Sequence, residues 1–133
     1  MRPLRRPNPG SEGIDLAVLG LGRNGHIGFN EPGTPFESLT HVTQLSEETR
    51  KREAQAFGGL ECVPKKAITM GIRTIMNARE TLLLVSGVEK AEALSRALSG
   101  PITPEVPASV RQLHPRLTVL ADAAAAGSLP NLT

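Results

Sequence analysis

Apolar positions in this chain fall in short runs separated by glycine- and proline-rich breaks. Leu16-Ala17-Val18-Leu19 ends at Gly20, and Thr81-Leu82-Leu83-Leu84-Val85 ends at Ser86-Gly87. Apolar runs of this length bounded by glycine read as strands covered on both faces. The pattern predicts a first strand over 14–19, its clearest strand over 81–85 and a last one over 117–120. Alternating character over 40–45 predicts another short strand, and 67–70 a brief one. Helical spacing lies between them. Ser46 reads as an N-cap, with Glu47 and Glu48 in the first turn and Thr49 where a capping-box acid would stand. That helix is expected to run to about Ala56 and to stop at Gly58-Gly59. Ile72, Ile75 and Met76 share one face of a short helix within 71–78. Ala91, Leu94 and Leu98 form an apolar stripe over 88–98, ended by Gly100-Pro101. A further short helix is expected over 108–113.

Strands alternating with helices predict an α/β fold. The expected architecture is a three-layer parallel-sheet (Rossmann-like) domain over residues 13–122, truncated, with helices on both faces. Residues 1–12, rich in Arg and Pro, are expected as a disordered leader, and 123–133 as a tail.

Composition narrows the function classes. The 133 residues suit one modest domain. No run approaches the ~20 apolar residues that cross a bilayer, and the basic start lacks the apolar segment of a secretory signal. The single Cys62 excludes an internal disulfide framework and fits a reducing compartment, so a cytoplasmic location is expected. A net charge of +2, with no Tyr or Trp, argues against nucleic acid as a partner.

The candidate chemistry gathers where the first strand breaks. Gly20-Leu21-Gly22-Arg23-Asn24-Gly25 satisfies G-x-G-x-x-G, but a dinucleotide site needs a helix opening on the third glycine. Gly28, Asn30, Pro32 and Gly33 are hostile to one. In the same loop His26 can exchange a proton near neutral pH. Glu31, five residues on, is placed to hold one imidazole nitrogen and fix its tautomer, while Asn24 and Asn30 can position either partner. The bland alternative is that His26 caps the strand and Glu31 is solvated. His26, His41 and His114 are too widely spaced for a metal site, and none is expected.

The run Gly22-Arg23-Asn24-Gly25-His26-Ile27-Gly28-Phe29-Asn30-Glu31-Pro32-Gly33 resembles the signature of the glucosamine-6-phosphate deaminase/isomerase family. The stretches 63–71, 83–91 and Leu113-His114-Pro115 resemble that family in order and spacing. The likeness covers about residues 13–122 and corresponds to the C-terminal half of the family's enzyme. It implies a sugar-phosphate substrate, ring opening, aldose–ketose isomerisation and ammonia release giving fructose 6-phosphate, with no cofactor. His26 matches the family's ring-opening proton carrier, Glu31 the carboxylate that orients it, and Asn24 a position where the family often has Asp. Gly20, Gly22 and Gly25 match the substrate loop, and Lys90 matches the phosphate lysine.

Three departures stand out. Gln55 occupies the position of a phosphate-gripping arginine; Arg52, one turn earlier, is within reach of the site but is expected to point differently. His41 and Thr43 stand where allosteric members carry basic residues, which predicts no activation by N-acetylglucosamine 6-phosphate. The family's Gly/Thr-rich phosphate loop and its isomerisation Asp are not found. The resemblance therefore implies a deaminase fragment that is impaired or inactive alone. Alternatives are a related sugar-phosphate isomerase or 6-phosphogluconolactonase-like enzyme, or a non-catalytic sugar-phosphate-binding module. An open parallel edge makes association plausible, as a homo-oligomer or with the missing half.

Overall fold

The computed structural model describes residues 13–130; the expected leader over 1–12 lies outside the described residues. Three parallel strands form the main sheet in the order β1 (Leu16–Gly20), β4 (Glu80–Val85), β5 (Leu117–Ala121). Leu19 pairs with Leu83, and Leu83 with Val119, so the central strand is the most apolar run of the chain. The α/β fold expected from the sequence is the one found. The first strand begins two residues later than its apolar run suggests.

The alternating stretches do not join this sheet. β2 (His41–Gln44) and β3 (Lys66–Thr69) form a separate antiparallel ribbon, with Val42 opposite Ile68. Their alternation is that of a ribbon with one wet face.

The helices follow their sequence signals closely. α1 (Glu47–Phe57) begins at Ser46, whose Oγ accepts the Thr49 amide at 3.1 Å, and ends at Gly58 in the left-handed region. α2 (Ile72–Met76) buries Ile72 and Ile75. The stripe over 88–98 divides into a 3-10 turn, Val88–Lys90, and α3 (Ala91–Ser99), which buries Ala93, Leu94 and Ala97. Residues Pro107–Leu113 wind as 3-10 helix; within the stretch expected as a tail, α4 (Ala123–Ala126) is a helix with no counterpart in the sequence reading, capped by Asp122 and burying Ala125 in the core.

These helices share one core with one face of the sheet. Leu19, Leu83 and Val85 meet Ile75, Leu94 and Val110 there. Of the helical layers expected on the two faces, the described residues supply this one. Along β1 and β4 the inward positions are buried while Leu16, Val18 and Leu84 are exposed. The carboxyl end of the sheet carries the loop over 21–40, which Ile27 pins into the core.

Candidate functional site

The break after β1 is a turn stitched by its own backbone. Gly22 N–H donates to His26 O at 2.9 Å and Gly25 N–H to Gly22 O at 3.0 Å. Two glycines are obligatory here. The imidazole of His26 lies against Gly22, where a Cβ would collide with the ring. Gly25 has φ +87°, and a Cβ there would meet Val106 Cγ1 at 2.7 Å. No helix opens between Gly20 and Ser46 among the described residues, so the third glycine has no helix N-terminus for a pyrophosphate.

Within this turn the side chains form a relay. His26 Nδ1 lies 2.7 Å from Asn24 Oδ1 and 3.7 Å from Glu31 Oε2. Asn24 Nδ2 donates to Glu31 Oε2 at 2.8 Å, and the His26 amide donates to Asn24 Oδ1 at 3.1 Å. The direct contact expected between His26 and Glu31 is thus routed through Asn24. The network sets both orientations: the Asn24 NH2 must face the carboxylate, so its oxygen faces two donors. Nδ1 then carries the imidazole proton, leaving Nε2 bare as a base. The His26 and Glu31 side chains are 12% and 19% exposed, reachable but shielded.

Glu31 has further partners that sequence reasoning missed. Thr49 Oγ1 donates to Glu31 Oε1 at 3.1 Å, and Ser46 Oγ lies 3.4 Å from the same oxygen. The N-terminus of α1, read in the sequence only as a cap, therefore also grips the carboxylate. Asn30 does not join the relay. Its Nδ2 donates to Ile27 O at 2.9 Å and Met70 O at 2.8 Å, tying the loop to the end of β3.

A cleft of about 420 Å³ opens beside the imidazole, lined by Gly20, Leu21, Gly22, His26, Gly28, Arg52, Glu53 and Lys90. That volume suits a small ligand. Lys90 Nζ donates to Leu21 O at 2.6 Å, which holds the ammonium at the mouth of the glycine-rich loop. Burial lowers the Lys90 pKa from its usual value, and the nearby Arg52 and Arg23 charges lower it further. Arg52 reaches the cleft and lines it, whereas Gln55 is exposed and does not. A turn of helix separates the two, and only the packing of α1 against the loop decides which reaches inward. Gly25 supports the turn from below, where its carbonyl accepts the Ala108 amide at 2.9 Å.

The cleft is electropositive beside a neutral base. Burial is the main cause that lowers the His26 pKa; Arg52 and Lys90 add to it, while Glu31 and Glu48 oppose it. The other histidines stand apart from the relay. His114 Nδ1 accepts the Arg116 amide and its Nε2 donates to Ala78 O at 2.8 Å, a structural pairing. His41 Nδ1 contacts Leu39 O at 2.7 Å in the ribbon.

Residues 3–119 match the family described as Glucosamine-6-phosphate isomerases/6-phosphogluconolactonase. The chain belongs to this family. It is 60% identical over 114 residues to a glucosamine-6-phosphate deaminase of Shouchella clausii (strain KSM-K16), covering 86% of this chain and 46% of that protein. It is 53% identical over 116 residues to glucosamine-6-phosphate deaminase 1 of Bacillus subtilis (strain 168), covering 87% and 48%. A solved structure of a monomeric glucosamine-6-phosphate deaminase superposes with a TM-score of 0.81 at 54% identity, over 86% of this chain and 47% of that one. A 6-phosphogluconolactonase from Trypanosoma cruzi, at 22% identity and a TM-score of 0.66, shares the fold. The chain spans about half the length of the curated relatives it matches.

Proposed function

We propose that this chain carries the ring-opening and phosphate-binding part of a glucosamine-6-phosphate deaminase site. The observation that carries the reading is the His26–Asn24–Glu31 relay opening onto a cleft that also holds Lys90 and Arg52. In the cyclic sugar the anomeric hydroxyl gives its proton to Nε2 of His26. The bond from the anomeric carbon to the ring oxygen breaks, and the imidazolium returns the proton to that oxygen. Glu31, acting through Asn24, holds the tautomer and balances the transient positive charge. Lys90 and Arg52 receive the phosphate, Arg52 taking the part that Gln55 cannot.

The later steps move a proton between adjacent carbons and release ammonia with uptake of water. None of the cleft residues is a second carboxylate positioned beside the relay to act as that base; Glu53 is ion-paired to Arg52 at 3.4 Å. On this reading the chain alone binds glucosamine 6-phosphate and releases little or no ammonia. A charged sugar phosphate is retained inside the cell, so the proposed setting is the cytoplasm, in N-acetylglucosamine catabolism, with hydrolase-type release of the amine.

Calorimetric titration with glucosamine 6-phosphate, followed by an ammonia-release assay, tests this. Binding is expected, and Lys90→Ala and Arg52→Ala are each expected to weaken it about tenfold. Failure to bind at millimolar concentration overturns the site. Ammonia release within about tenfold of a full-length relative overturns the claim that the chain is catalytically incomplete.

A further inference from the structure

The turn that carries Lys90 is held from outside itself. β4 ends at Val85, Gly87 takes φ +97°, and the Lys90 amide donates to Gly87 O at 3.1 Å. The Gly87 amide donates across the end of the sheet to the Asp122 carboxylate, at 3.1 Å to Oδ2 and 3.3 Å to Oδ1. Asp122 directly follows β5, whose last residue, Ala121, pairs with Val85. Its own amide donates to Val85 O at 3.2 Å, and its Oδ1 accepts the Ala125 amide at 2.8 Å as the cap of α4. One carboxylate thus joins the ends of β4 and β5 and the first turn of α4 around the segment that leads to Lys90.

A helix cap needs only one of those oxygens, and Ser, Thr or Asn would supply it. The other, Oδ2, bonds Gly87. Lys90 is therefore fixed at both ends: its ammonium by Leu21 O at 2.6 Å, and its backbone by the turn that Asp122 grips. We propose that Asp122 is a positioning residue of the phosphate site: its bond to the Gly87 amide sets the turn over 87–90, and so sets the Lys90 ammonium where it meets the phosphate of the ligand. The role of Asp122 rests on the reading of the cleft as a sugar-phosphate site. It gives that site a support from α4, an element that contributes no residue to the cleft lining. Charge and position act with opposite signs here. Asp122 and a phosphate are both negative, so loss of the charge alone tightens binding. Loss of the Gly87 bond frees the turn and weakens binding. Glu89 is the carboxylate that raises the Lys90 pKa, so Asp122 acts on Lys90 through the backbone rather than as a charge partner.

Asp122→Asn separates the two bonds. Its Oδ1 still caps α4, but an NH2 group replaces Oδ2 and faces the Gly87 amide, donor against donor. Calorimetric titration of the full chain with glucosamine 6-phosphate is expected to show about three- to tenfold weaker binding. Amide hydrogen exchange is expected to quicken at Gly87 and to stay unchanged at Ala125. In a Lys90→Ala background the same substitution is expected to change nothing, because a residue that acts through Lys90 has nothing left to place. Asp122→Ser, which also caps the helix but brings a single oxygen, is the second variant and is expected to behave in the same way. Unchanged or tighter binding in both variants overturns the proposal. An equal loss in the Lys90→Ala background also overturns it, by marking a general loosening of the fold. An unmodified chain that does not bind at millimolar concentration overturns the phosphate-site reading itself, and the role of Asp122 with it.

Discussion

At the residue scale the site depends on which groups neighbour one imidazole. Asn24 offers its oxygen to His26 and its nitrogen to Glu31, so a neutral amide transmits the carboxylate's orientation without adding charge. Two substitutions should move the His26 pKa in opposite directions, read by proton NMR. Glu31→Gln removes the main group that raises it and should lower it further; Asn24→Asp adds a carboxylate at Nδ1 and should raise it. The folded pKa lies below the ordinary 6.5, so on acidification the unfolded chain binds its proton first. His26 therefore contributes stability that is present above about 6.5 and lost as pH falls through the folded pKa. Urea midpoints measured across that window should decline, and His26→Gln should flatten the decline. A second residue stands out. The Arg111 side chain is fully buried, its three nitrogens have no hydrogen-bond partner among the described residues, and burial pushes its pKa down to about 10. Arg111→Leu should raise stability by ~1–4 kcal/mol, seen as a higher thermal midpoint.

At the element scale, α1 does two jobs from one end. Ser46 caps the helix while Ser46 and Thr49 together hold Glu31. The cap was legible because Ser followed by two acids is a local signal. The grip on Glu31 was not, since fifteen and eighteen residues of loop and ribbon separate the partners. Ser46→Ala should cost about 1 kcal/mol in denaturant unfolding. Ser46→Asp should keep the cap, yet set a second carboxylate against Glu31 and raise the His26 pKa, which separates the two roles. Arg52 teaches the same lesson. The resemblance puts Gln55 at the family's arginine position, but the packing of the helix against the loop turns Arg52 toward Lys90.

At the scale of the whole molecule, the single helical layer that the described residues lay on the parallel sheet divides the energetics by face. Leu83 and Leu84 are neighbours in β4, yet the first is fully buried and the second exposed. In the isolated chain Leu83→Ala should cost ~2–5 kcal/mol, as a cavity in a packed core does. Leu84→Ala should stay within about 0.5 kcal/mol, as exposed substitutions do. Equal costs, measured by denaturant unfolding, would mean that the second face is covered in solution.

The order of the strands and of α1 to α3, the glycine break and the identity of the relay residues could be read along the chain, whereas α4 could not. Each is a local matter of periodicity, capping and backbone permission. Tertiary structure decided the rest: that β2 and β3 leave the main sheet for a ribbon, that Glu31 is held by α1, that Arg52 enters the cleft, and that the described residues leave one apolar face open. These outcomes turn on contacts between distant segments. Apolar spacing says that a strand wants cover on both sides, but only the packed chain reveals which side has received it.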